Sequence, residues 1–158
     1  MIRIIACGKL KEKWLREGTA EYLKRISPYD RVEMIEVQDE KAPENNSDKD
    51  NEKVKKTEGE RILKRIQDEE YVILLDLAGK EWSSEEMAAH MQSLYNRSQN
   101  RLTFVIGGSL GVSEDLIRRS NHRWCISKCT FPHQLCRLIV AEQIYRAFRI
   151  LHHEPYHK

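Results

Sequence analysis

Runs of apolar residues alternate with amphipathic stretches along the whole chain. Residues 2 to 7 are an apolar run that stops at Gly8, which reads as a strand released into a turn. From about Glu12 to Ile26 the apolar positions Leu15, Thr19, Tyr22, Leu23 and Ile26 share one helical face, and Ser27-Pro28 ends the helix. Val32 to Val37 reads as a second strand. Gln38 to Asn51 is polar, with Pro43 and paired asparagines, and reads as a mobile surface loop. A charged helix follows from about Asp50 to Ile66, with Val54, Ile62, Leu63 and Ile66 as a thin apolar side.

Tyr71 to Leu77 is apolar except for Asp76, the pattern of a central strand buried on both faces. Ala78-Gly79-Lys80 should turn the chain out of it. Ser83 and Glu86 make a capping box for a helix to about Tyr95. Leu102 to Ile106 is the next strand, Ser113 caps a short helix to Arg119, and Arg123 to Ile126 is a last short strand. A final helix runs from Pro132 to about Leu151. Strands alternating with helices give an α/β fold with a mainly parallel open sheet and helices on both faces.

The final helix carries the stripe Leu138, Ala141, Ile144, Tyr145, Phe148 and Leu151. Leu135, Ile139 and Val140 widen it around most of the first half. A helix apolar nearly all round is buried on more than one side. One side faces the sheet; the other faces a second subunit or, in a monomer, a deep core.

With 158 residues the chain should form one domain with a sizeable core. Lys plus Arg number 27 and Asp plus Glu 25, a net charge of +2, so the chain is no polycation. From Arg118 to Lys158, however, eight Lys or Arg face two acids, while the rest carries nineteen bases and twenty-three acids. That asymmetry suits a phosphate-rich partner, or else marks a solvated helix surface. No apolar run reaches the roughly twenty residues that cross a bilayer, and the start does not read as a signal peptide. Four cysteines, at 7, 125, 129 and 136, read as reduced cytosolic thiols.

Candidate chemistry concentrates after Leu102. Gly107-Gly108-Ser109-Leu110-Gly111 lacks the spacing of a dinucleotide fingerprint and the Lys-Ser/Thr of a phosphate loop. It reads as a tight turn that lets a flat ligand approach bare backbone. A second turn, Ser127-Lys128-Cys129-Thr130-Phe131-Pro132-His133, opens the last helix. In an open parallel sheet such turns lie at the carboxyl edge, where ligands bind. Cys125, Cys129, His133 and Cys136 invite a zinc reading, but no Cys-x-x-Cys knuckle is present and small apolar packing explains the thiols. His133 at a helix N-terminus favours a neutral ring that accepts a proton or merely packs. Glu142 and Arg146 are spaced as an ion pair inside an apolar helix. Tyr156-His157-Lys158 is a disordered tail or a clamp on a stacked base and its phosphates.

The opening strand with Gly8-Lys9, the Gly107–Gly111 turn, the 127–133 run, Ala141 to Ala147 and the terminal Tyr-His-Lys together resemble the ribosomal RNA large subunit methyltransferase H family, a minimal branch of the SPOUT methyltransferases. The resemblance covers the whole chain. It implies a C-terminal trefoil knot, a cytoplasmic homodimer, S-adenosylmethionine as methyl donor, no metal, and methylation of N3 of a pseudouridine in 23S rRNA of the assembled ribosome. It assigns donor contacts to Leu75, Gly107, Ile126, Ser127, Lys128, Cys129, Thr130 and Phe131. His133, Glu142, Arg146 and His157 are the catalytic candidates, and Arg137, Arg149, Tyr156 and Lys158 the candidate contacts to the RNA. The rivals are a noncatalytic knotted RNA-binding protein and a nucleotide- or zinc-dependent enzyme, the second disfavoured by the missing phosphate-loop lysine and Cys-x-x-Cys pair.

Overall fold

The computed structural model describes residues 1–45 and 47–158. Five strands form one parallel sheet in the order β2-β1-β4-β3-β5. They are β1 (Ile2–Cys7), β2 (Val32–Val37), β3 (Tyr71–Glu81), β4 (Leu102–Ile106) and β5 (His122–Cys125). The helices are α1 (Lys13–Ile26), α2 (Asp48–Leu63), α3 (Ser84–Asn96), α4 (Glu114–Arg119) and α5 (His133–Leu151).

Successive strand residues point to opposite faces, so each buried strand feeds two cores. Ile2, Ile4 and Ala6 join Phe104, Met91, Ala141 and Phe148 on the face covered by α1, α3 and α5. Ile5 and Cys7 join Val105, Leu74, Ile62 and Leu116 on the face covered by α2 and α4. This two-sided burial explains why the central strands read as continuous apolar runs.

Three elements differ from the sequence expectation. The helix after the polar loop begins earlier, at Asp48, because Ser47 and Asp50 form a capping box. The expected loop is therefore shorter; Asn46 within it lies outside the described residues. Gln38 to Glu40 are anchored rather than loose, since Arg61 donates to the Gln38 carbonyl at 3.0 Å and pairs with Glu40 at 2.6 Å.

The second difference is at the expected Ala78–Lys80 turn, where β3 continues to Glu81. Both Leu75 and Lys80 pair with Trp124 of β5, so Asp76 to Gly79 arch out between them. Asp76 supports the arch, accepting from the Ala78 N–H at 3.0 Å and from Arg123 at 2.6 Å.

The third is the face of α5. Its deepest residues are Arg137, Val140, Ala141, Ile144, Ala147 and Phe148, whereas Leu135, Leu138 and Ile139 are only half-buried. Leu138 rests on Gly18 of α1. No described helix is long and apolar enough to cross a membrane.

Candidate active site

The carboxyl edges of β3, β4 and β5 meet over the N-terminal turn of α5. There they enclose a cleft of about 600 Å³, within the range of small-molecule sites. The β3 arch, the 107–112 turn and the 124–133 run form its walls. Gly107 is required for this closure: a Cβ there would lie 2.9 Å from both the Gly111 carbonyl oxygen and the Val112 side chain. Ser127 stiffens the far wall, its Oγ accepting from the Cys129 N–H at 3.0 Å.

Of the eight residues assigned to a donor by resemblance, Leu75, Gly107, Ile126, Ser127, Cys129, Thr130 and Phe131 line this cleft, and Lys128 does not. The sequence reading missed Asp76, Val112 and Trp124, which line it too. The three-strand convergence is the signal that could have found Trp124, since it ends the strand beside Leu75. The Trp124 indole N–H is buried without a hydrogen-bond partner.

His133 sits half-buried at the cleft, in the first turn of α5. Burial, then the nearby Arg137 guanidinium, push its pKa down; Glu58 and Asp39 oppose them. Cys136, one turn inward, has its thiol pushed up by burial. Cys125, Cys129, His133 and Cys136 all line the cleft. Among the described residues no group of His, Cys, Asp and Glu is arranged to hold a metal ion.

The remaining catalytic candidates form a separate cluster. Glu142 lies nine residues beyond His133, roughly 13 Å along the helix axis. Its Oε1 accepts from Arg146 at 2.6 and 3.0 Å and from the Tyr156 hydroxyl at 3.0 Å. Arg146 Nη1 donates to His157 Nδ1 at 3.2 Å, and His157 Nε2 meets Glu85 of α3 at 2.7 Å. An arginine can only donate, so in this contact Nδ1 is the acceptor and Nε2 is the nitrogen placed to donate to Glu85. Within one chain, His133 and the Glu142–Arg146–His157 cluster are therefore not brought together.

The tail is ordered, against the default expectation for chain termini. Tyr156 bonds to Tyr22 at 3.3 Å as well as to Glu142, and Arg146 lies over its ring at 4.6 Å. Arg149 pairs with Glu154, donates to Tyr29 at 2.9 Å and to the Pro155 carbonyl at 3.0 Å. These partners correct two phosphate assignments. Arg149 is committed to holding the tail. Arg137 is fully buried and donates to the carbonyls of Cys7 and Gly8, out of reach of any phosphate. Lys158 remains exposed.

A parallel α/β sheet, a cleft at its carboxyl edge and a tail folded over the last helix define the class. The chain belongs to the SPOUT methyltransferases, residues 1–157 matching the family model described as predicted SPOUT methyltransferase; the fold of that family carries a C-terminal knot. Full-length relatives place it with the ribosomal RNA large subunit methyltransferase H proteins. Those of Carboxydothermus hydrogenoformans and Listeria monocytogenes are each 55% identical over 157 residues, covering 99% of both chains. That of Clostridium botulinum is 54% identical over the same span.

Proposed function

We propose that this protein methylates N3 of a pseudouridine in large-subunit ribosomal RNA, in the assembled ribosome, with S-adenosylmethionine as donor and as a cytoplasmic homodimer. The observation that carries the reading is the cleft, where three strand-end turns converge beside a half-buried His133 whose pKa burial pushes down. Its relatives' common name supports RNA as the acceptor. The lining suits the donor: Leu75, Ile106, Ile126 and Phe131 offer apolar surface to an adenosine, and the glycine turn offers bare backbone.

The donor supplies an electrophilic methyl group. The task of the protein is to hold the target nitrogen about 3 Å from it and in line with the bond that breaks. An imide N3 attacks only as its proton leaves. His133 is the group at the cleft able to take that proton, because its environment favours the uncharged ring. The Glu142–Arg146–His157 cluster cannot serve the same cleft from 13 Å away along its own helix. A second copy of the chain would supply it. Half-buried Leu135, Leu138 and Ile139 on α5 and Trp14, 58% exposed on α1, are apolar surface for that contact. With a net charge of only +2, RNA recognition rests on shape and ribosomal context.

Labelled donor and ribosomes lacking the modification test the reaction. His133→Ala is expected to lower turnover by about two orders of magnitude, the usual scale of a lost acid–base group, and His157→Ala should slow it as well. Wild-type turnover in both variants would remove these assignments. Sedimentation at micromolar concentration should give a dimer, and a monomer would leave the divided site unexplained.

A further inference from the structure

The largest fully buried side chain among the described residues is a charged one, Arg137. Its Nη2 donates to the carbonyl oxygens of Cys7 and Gly8, both at 2.7 Å. Its Nη1 lies 3.5 Å from a Glu36 carboxylate oxygen, and neither Nη1 nor Nε has a hydrogen-bond partner. Removing a guanidinium from water costs several kcal/mol, and two carbonyls with one distant carboxylate are a thin return if Arg137 only braces the fold.

A buried carboxylate lies close by. Glu58 of α2 is 5% exposed and accepts from the Cys7 thiol at 3.0 Å and the Glu40 N–H at 3.1 Å. It presses against the glycine turn of the cleft: a Cβ on Gly108 would sit 2.6 Å from Glu58 Oε1. Cys7 thus joins the two charges, its carbonyl taking Arg137 and its thiol giving to Glu58. Asp39 lies against Gly8, beside the Arg137 guanidinium. His133 is one helical turn before Arg137, a spacing that brings side chains to within about 6 Å.

We propose that Arg137 and Glu58 are positioning residues for the methyl-transfer reaction, an opposed pair that sets the charge of His133 at the donor cleft. The inference rests on the reading of His133 as proton acceptor. The charges that bear on His133 are Arg137 on its own helix, Glu58 on α2 and Asp39 in the β2–α2 connection. At rest, burial first and then the guanidinium disfavour a cation on the imidazole and push its pKa down. When His133 takes the N3 proton, the N–H bonding pair stays on N3 and the ring becomes a cation. Glu58 and Asp39 then stabilise it. Burial and Glu58 push the Cys7 thiol up, so Cys7 stays a hydrogen-bond donor to Glu58.

The test is the titration of the His133 ring by NMR in the donor-free protein, followed by the pH profile of methyl transfer. Arg137→Met leaves the carboxylates uncompensated and should raise the His133 midpoint by about one pH unit or more. The acidic limb of the rate profile should move up with it, so that activity below the new midpoint falls about tenfold per unit. Glu58→Gln keeps an acceptor for Cys7 and Glu40 and should move the midpoint the opposite way. Arg137→Lys keeps the charge and should restore the wild-type midpoint. Opposed shifts in the first two variants are the result expected, since a merely structural pair would not produce them. If Arg137→Met does not fold, Glu58→Gln decides alone: a lower midpoint supports the pair, and an unchanged or raised one overturns it. Correct midpoint shifts in a protein that transfers no methyl group would overturn the proposed function and leave this electrostatic assignment standing.

Discussion

Gly79→Ala is expected to weaken binding of the proposed donor severely. Gly79 lies where the arch of β3 returns to β5, and a Cβ there would sit 2.5 Å from the Arg123 carbonyl oxygen, 2.6 Å from its carbon and 2.9 Å from the Trp124 nitrogen. All three are backbone atoms of a four-residue strand, so no side chain can turn aside to make room. The seam must open instead. β5 pairs only with β3, and it leads directly into the 126–131 wall of the cleft. Overpacking of this kind costs about 1–3 kcal/mol of stability. The larger effect falls on binding, because Leu75 and Trp124 on the two sides of the seam both line the cleft. Calorimetry with S-adenosylmethionine should show affinity lowered about a hundredfold or more, given the sensitivity of fitted sites to displacements near 1 Å. Wild-type affinity in a folded Gly79→Ala protein would mean that this seam does not shape the donor site.

Deleting residues 155–158 is expected to spare donor binding and to lower methyl transfer by about two orders of magnitude, the scale of a lost orienting or acid–base group. Tyr156 and His157 are the outer partners of the Glu142–Arg146 pair, and neither lines the donor cleft. Without them the Arg146 guanidinium loses His157 on one side and the Tyr156 ring on the other. A mixing experiment sharpens the point. The tail-deleted chain keeps His133, and a His133→Ala chain keeps its tail. If the tail serves the partner's cleft, mixed dimers hold one complete site and activity partly returns. If it serves its own cleft, both sites stay broken and mixing recovers nothing.

Periodicity was enough for the strands and helices because burial in this fold follows the chain locally. Ile2, Ile4 and Ile5 are all buried because β1 is covered on both faces, which is what an unbroken apolar run means. Ser83 with Glu86 marked the start of α3 because both halves of a capping box lie within four residues. The cleft was likewise within reach, since turns at the ends of parallel strands share one edge. Gly79 was misread because a glycine in a turn and a glycine pressed against a neighbouring strand look alike in sequence. Arg137 was misread for a similar reason. A lone arginine on a helix suggests a phosphate contact, and only the carbonyls of Cys7 and Gly8, about 130 positions earlier, show where its charge goes.

The amino-acid sequence by itself determined the order of elements, the parallel α/β class, the two turns that wall the cleft and the placing of His133 at the start of the last helix. These depend on interactions between residues close in the chain and on the face each residue presents. Tertiary structure alone decided the β3 arch over β5, the docking of the tail on α1 and α3, the separation of His133 from Glu142 and Arg146, and the burial of Arg137 against the end of β1. Each of those joins residues distant in sequence. Their energies come from desolvation and close packing, which no local pattern of residues encodes.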